Sequence, residues 1–281
     1  MSQKRRSVAD EAHWVVRTSA ADLQAATVLA THTHEWHQLI YVSAGLMSVA
    51  TEAGSWVAPA SWAVWVPAGI RHEIRFVVDS AFRTAYFRPD WAAAYPTGCT
   101  VVCVSALLRE LILRTIRIGK LDRRHPLETA IAALMVSELQ VSSARSLGLR
   151  QPTGKAMCRA ATLMTSRDPR AATVSSLARA VGAGTRTFER RFFAETGMSP
   201  GRWRQHQAML AGLESLAGGA AVKSVAEQAG YRTASAFIAA FRKIFGATPG
   251  NYFSQANRFE EQGSAPHSYI KAARRSTGQA T

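Results

Sequence analysis

At 281 residues, with 47% hydrophobic and 19% charged side chains, the chain is long enough for two domains of ordinary size and too apolar to be disordered. No stretch approaches the roughly 18 uninterrupted apolar residues of a membrane helix, Met1 to Asp10 hold no apolar signal core, and Cys99, Cys103 and Cys158 form no C-x-x-C pair, so the expectation is a cytoplasmic chain without disulfide framework or membrane partner. The net charge of +15 is uneven: residues 1–150 carry 16 basic and 12 acidic side chains, residues 151–281 carry 18 and 7, and the resulting +11 on the second half suits a polyanion.

Five short runs rich in Val, Ile, Trp, Tyr and Phe, at 38–43, 46–51, 62–67, 72–78 and 82–88, are cut by Gly45, Gly54, Pro59 and Pro67-Ala68-Gly69. Short strands at this spacing predict a small β-barrel or sandwich. His32-Thr33-His34, with Gln38 four residues on and Gly45 seven further, resembles the first cupin motif, and Pro67-Ala68-Gly69-Ile70-Arg71-His72 resembles the core of the second. If His32 and His34 share a strand, its period of two puts both on one face, where His72 could converge on them. Three imidazoles and the Gln38 amide oxygen would then make an open site for zinc, nickel, iron or manganese.

Several positions depart from the cupin pattern. Gln38 replaces the usual Glu, Ala26 and Ser61 stand where the leading glycines fall, and Phe76 stands where the second motif ends in Asn. The histidines are thus open to three roles: metal ligands, contacts to an organic effector, or structural residues. His37, one residue off the shared face, is expected to be exposed. Trp36, Trp56, Trp62, Trp65 and Tyr41 could line an apolar pocket, with Trp65 and Tyr41 as the candidates for binding a cofactor or effector, or could be plain core.

After Ser105 the period lengthens. Leu107, Leu108, Leu111, Ile112, Thr115 and Ile116, then Leu127, Ile131, Leu134, Met135 and Leu139, fall at three- and four-residue steps. They predict two amphipathic helices separated at residues 122–126, able to cover the barrel or to pack across a homodimer. The stretch Gly148 to Gly154 reads as a linker. The division is then a first domain over 1–148, a linker over 149–154, a second domain over 155–256, and a tail over 257–281 that lacks apolar periodicity.

The second half repeats itself. Val174-Ser-Ser-Leu-Ala178-Arg-Ala-Val-Gly182 resembles Val222-Lys-Ser-Val-Ala226-Glu-Gln-Ala-Gly230, each placing a small Ala four residues before a Gly. In a helix-turn-helix, that Ala allows close helix approach and the Gly can take the positive φ of the turn. Each unit continues into a helix with paired aromatics, Phe188 and Phe192 or Phe237 and Phe241, and ends at Gly197 or Gly246 before Ser199-Pro200 or Thr248-Pro249.

On these residues, and on Ser235-Ala-Phe-Ile-Ala-Ala-Phe-Arg-Lys-Ile-Phe-Gly-Ala-Thr-Pro-Gly-Asn-Tyr252, the segment from about Lys155 to Phe253 resembles the DNA-binding domain of AraC/XylS-family transcriptional regulators. The resemblance implies a seven-helix domain whose two recognition helices enter successive major-groove segments of duplex DNA about one turn apart. The fold expected for the whole chain is α+β in two domains, a cupin-like β-barrel with two following helices and an all-α domain with two helix-turn-helix motifs.

The resemblance further implies a one-component regulator governed by a small molecule or metal in the barrel. RNA polymerase is an implied partner, and a neighbouring transporter gene an implied target. In the first recognition helix Phe188 and Phe192 take the apolar face, so Thr185, Arg186, Glu189 and Arg190 face outward and can read bases. In the second, Arg232, Thr233, Ala234, Ser235 and Ala239 offer short side chains, fit for a thymine methyl, a hydroxyl hydrogen bond and phosphate. The rival reading is a metal-dependent cupin enzyme with a basic accessory domain, for which Glu35 and Glu73 are the nearest acid–base candidates.

Overall fold

The computed structural model describes residues 12–60, 62–92, 95–141, 148–165 and 173–252. The expected tail over 257–281, and Ser61 of the cupin comparison, lie outside these residues.

The first domain is built of two antiparallel sheets. One has the order β10-β1-β8-β3-β6-β9 and the other β11-β5-β4-β7-β2. In chain order the strands are β1 (Trp14–Leu23), β2 (Val28–His32), β3 (His37–Val42), β4 (Leu46–Thr51), β5 (Gly54–Pro59), β6 (Trp62–Val66), β7 (His72–Phe76), β8 (Ser80–Phe87), β9 (Thr100–Cys103), β10 (Lys120–Asp122) and β11 (Gly148–Arg150). The five expected runs are present, and β1, β2, β5, β9, β10 and β11 join them.

Register decides which side chains face inward, because directly opposed residues share a face. Gln38 stands opposite Tyr86 and Val66, and Arg17 stands opposite Tyr86. Ile40, Val42, Val64 and Phe82 continue that inner face and, with Val49, Ile74, Phe76 and Trp56 of the second sheet, belong to one buried cluster. The outer face of the first sheet carries Leu39, Tyr41, Ala63 and Trp65, which pack with Leu108, Ile112 and Met135 of the helices α1 (Ala106–Ile118) and α2 (Pro126–Val141). The two helices therefore do cover the sheet. Leu107, Leu127 and Leu134 on them remain exposed.

The expected linker departs from expectation at its start. Gly148–Arg150 pairs antiparallel with β5, Gly148 opposite Trp56. A Cβ at Gly148 would lie 2.3 Å from the Trp56 indole, so the close approach of strand to ring needs a glycine. The chain then enters α3 (Lys155–Thr165) after four residues. That short connection is tied to the second domain: the Glu195 carboxylate accepts from the amides of Thr153 and Gly154, both at 2.9 Å, and Trp203 Nε1 donates to the Arg150 carbonyl at 2.8 Å. A cleft of about 350 Å³, lined by Glu52, Gln151, Cys158, Thr162 and Trp203 among others, lies beside it.

The second domain is helical: α3, α4 (Val174–Ala180), α5 (Thr185–Thr196), α6 (Pro200–Ala217), α7 (Val222–Gln228) and α8 (Ala234–Phe245), with a further helical turn at 249–252. The sequence repeat is a structural repeat. Gly182 and Gly230 turn the chain at φ 67° and 80°, beyond reach of most side chains. Ala178 and Ala226 are each 1% exposed, and their carbonyls accept from Ala183 and Tyr231 in equivalent bonds of 2.9 and 2.8 Å. The ring pairs Phe188–Phe192 and Phe237–Phe241 are 5.8 and 5.9 Å apart and fully buried. Ser199 caps α6 by accepting from the Arg202 amide, followed by Pro200 at the first turn.

Candidate metal centre and nucleic-acid interface

The cupin-like residues meet between the two sheets. His32 ends β2, opposite His72 at the start of β7, and Gln38 projects from β3 of the other sheet. His34 does not share a strand with His32: it lies in the connection from β2 to β3, yet it reaches the same centre. Ligand atoms of His32, His34 and His72 all lie within 4.8 Å of one another. Gln38 and His72 are each 1% exposed, whereas His32 and His34 are half-buried, so the centre opens on their side.

Hydrogen bonds fix which atoms point inward. Nδ1 of His32, His34 and His72 meets the carbonyl oxygens of Ala30, Trp36 and Ile70. A carbonyl only accepts, so Nδ1 carries the proton and Nε2 keeps its lone pair. Gln38 is oriented in the same manner. Thr84 Oγ1 gives its proton to the Leu39 carbonyl and so must accept from Gln38 Nε2, 3.0 Å away. The amide also donates to Tyr86 Oη at 3.1 Å, and Oε1 is turned toward His34 Nε2 at 2.8 Å and His72 Nε2 at 3.1 Å.

Lone pairs of three imidazoles and one amide thus converge. A proton could relieve them by charging one ring, but burial opposes this: it holds His34 below the usual histidine range and pushes His72 down to about 4. Imidazole nitrogen and amide oxygen suit a divalent first-row metal ion, and the bond from each Nδ1 to a carbonyl is the outer support such ligands use. The residues therefore fit the metal that the motif implies.

Tyr41 and Trp65 are not part of this centre. They lie on the opposite face of β3 and β6, at 1% and 0% exposure, and the Trp65 ring packs on Tyr95, His37 and Phe87 beneath the covering helices. The expectation that they bind a cofactor or effector is corrected on that ground: a side chain at odd offset from Gln38 in the same strand faces away from it. His37, expected exposed, is half-buried and accepts the Ala68 amide at 3.0 Å. Glu35 is exposed, and Glu73 pairs with Arg75 at 3.2 Å, on β7 one residue past His72 and so on the other face. Neither carboxylate faces the histidines.

The sequence reading overlooked two residues of this centre. Tyr86 lies edge-on to His34 at 5.4 Å, and Arg17 stands over the same Tyr86 ring at 5.3 Å and over Trp36 at 4.6 Å. Only cross-strand register brings Arg17 and Tyr86 to Gln38, and nothing local in the sequence announces it.

On α5 the buried Phe188 and Phe192 leave Thr185, Arg186, Glu189 and Arg190 exposed on one side. Phe193, 58% exposed, extends this stripe and was also overlooked. On the second unit Arg232, Thr233 and Ser235 are exposed, while Ala234 is half-buried. The Thr233 hydroxyl accepts the Ala236 amide at 3.2 Å, so it caps α8, and its contribution to a base contact is correspondingly smaller.

A two-sheet barrel with an inward-facing ligand set, joined by a strand-anchored connection to two helix-turn-helix units, defines a regulator that binds a ligand in one domain and DNA in the other. Residues 13–135 match the AraC-like ligand binding domain and residues 177–255 match a helix-turn-helix domain. The chain thus carries an AraC-like ligand binding domain followed by a helix-turn-helix domain, the domain order of an AraC-type transcriptional regulator. It is 27% identical over 235 residues to the HTH-type transcriptional regulator NimR of Escherichia coli (strain K12), covering 84% of this chain and 86% of NimR. Among solved structures, ToxT of Vibrio cholerae O395, bound to (E)-4-(8-methylnaphthalen-1-yl)but-3-enoic acid, is similar at 11% identity with a TM-score of 0.37, covering 86% of this chain and 99% of that one. The DNA-binding domain of AdpA in complex with a target DNA is similar at 30% identity and a TM-score of 0.30, covering 37% of this chain and 90% of that one. Among the described residues, no helix is long and apolar enough to cross a membrane.

Proposed function

We propose that this regulator is a metal-dependent cytoplasmic switch, in which His32, His34, His72 and Gln38 hold a divalent ion of the zinc, nickel, iron or manganese class and occupancy of the barrel sets the affinity of the second domain for its operator. The observation that carries the reading is the convergence of the Nε2 and Oε1 lone pairs, each oriented by a hydrogen bond on its far side. When bound, the ion supplies a Lewis-acidic centre that recruits a further ligand. The short connection through β11 and the Glu195 contacts supports coupling of that event to α5. A neighbouring transporter gene is the proposed target, with RNA polymerase and a second copy of the chain as proposed partners; exposed Leu107, Leu127 and Leu134 on α1 and α2 support the dimer.

Two measurements test this reading. Elemental analysis of purified full-length protein is expected to find a divalent metal that His72→Ala loses, and chelation is expected to change operator affinity. Metal-free protein whose operator affinity ignores both chelator and added metals would overturn the metal assignment. Operator selection from a randomised pool tests the DNA contacts. Arg186→Ala or Arg190→Ala should cost about 1–3 kcal/mol and relax base preference in one half-site. Ser235→Ala should cost little at any one base. Unchanged selectivity in both arginine variants would count against base reading by α5.

A further inference from the structure

We propose that Phe193 reads a thymine in the major groove, as a further base-contacting position of α5. The inference rests on the base reading by α5 proposed above and adds to it one residue and the base that residue selects.

Placement around the helix carries it. At about 100° per residue, Phe193 stands about 20° from Arg186, about 40° from Glu189 and about 60° from Arg190, inside the sector that those three exposed side chains span. It stands about 140° from the buried Phe188, too far round to share the core with the ring pair. Glu195, which ties α5 to the connection through the Thr153 and Gly154 amides, lies about 160° away around the axis and leaves the sector clear. Single exposed apolar side chains are ordinary on a protein surface. This one, 58% exposed, stands in the middle of the charged face that α5 turns outward.

Spacing and chemistry then choose its contact. Arg186, Glu189, Arg190 and Phe193 fall at i, i+3, i+4 and i+7, the spacing at which the recognition helix of a homeodomain presents its base-reading side chains to the major groove. Seven residues rise about 10.5 Å, or about three base-pair steps, so one helix lying along the groove can bring all four to base edges. A phenyl ring has no donor or acceptor for the hydrogen-bonding groups found there. Of the four bases only thymine offers an apolar group in that groove, its C5 methyl. Contact between ring and methyl removes apolar surface of both from water.

The test uses full-length protein and the operator that it selects from a randomised pool. The half-site read by α5 is the one in which Arg186→Ala or Arg190→Ala relaxes base preference. Each thymine of that half is replaced in turn by deoxyuridine, which removes the C5 methyl and keeps every hydrogen-bonding group of the base. The wild-type protein should lose about three- to fivefold in affinity, the worth of one buried methyl, at one position within about three base pairs of the arginine-read pair. Phe193→Ala, which removes an exposed side chain, should bind the thymine duplex more weakly and be indifferent to deoxyuridine at that position. If neither arginine variant relaxes preference, base reading by α5 falls and this proposal with it. If they do, three results would overturn the thymine contact alone: a half-site without thymine, wild-type affinity indifferent to deoxyuridine throughout that half, or a deoxyuridine loss that persists undiminished in Phe193→Ala.

Discussion

Phe237→Ala should destabilise the second domain by about 3–5 kcal/mol, because it empties a fully buried position and leaves a cavity that backbone-anchored neighbours cannot fill. The ring touches both partners of its own unit, Tyr231 at 5.7 Å and Phe241 at 5.9 Å, and it lies over Gly212 of α6, where a Cβ would come within 3.4 Å of it. Loss of this ring loosens the second helix-turn-helix and its anchorage on α6 together. Chemical denaturation followed by tryptophan emission measures the effect: Trp203 lies within the same buried cluster. A variant with an unchanged midpoint and slope would show that α8 is not held as described. Operator binding should fall along with stability, unlike in the Arg186 and Arg190 variants, which remove surface side chains only.

DNA affinity should collapse with salt, by roughly 10³–10⁵-fold between 50 and 200 mM if six to ten phosphates are contacted, since each neutralised phosphate releases condensed cations. Exposed cations recur through the described part of the second domain: Arg179, Arg186, Arg190, Arg191, Arg202, Arg204, Lys223, Arg232, Arg242 and Lys243. The +11 charge of residues 151–281 places the same demand on the whole half. Fluorescence anisotropy with labelled operator over a salt series gives the slope directly. A slope near zero would mean that this half does not track the phosphate backbone.

The second domain was legible in the sequence because its signals are local. An Ala four residues before a Gly, an aromatic pair at four-residue spacing and a Gly before Ser-Pro or Thr-Pro each act within a turn or two of helix, and each recurs in the structure with the same geometry in both units. The convergence of His32, His34, His72 and Gln38 was legible in its membership and not in its layout. His34 reaches the centre from a connection, since β2 stops at His32. Aromatic character alone leaves Tyr41 and Trp65 open to a pocket or a core role, although parity with Gln38 already puts Tyr41 on the other face. Strand β1 escaped notice because its later residues, Ser19-Ala20-Ala21-Asp22, are small or polar and held by pairing with β8. Arg17, Tyr86 and Glu195 owe their roles to partners 19 to 69 positions distant, a relation that no local pattern encodes. The start of the linker is strand for a similar reason: Gly148 serves the Trp56 ring, which lies 92 positions earlier.

Helix α6 joins the two helix-turn-helix units as one continuous rod of 18 residues, about 27 Å long at 1.5 Å per residue. A rod does not stretch, and each residue added to it would swing the second unit by about 100° around its axis. The grammar of the operator is accordingly written in the length of that one helix. Two words of DNA are then expected to stand at one separation and one phase, and a base pair gained or lost between them should weaken binding.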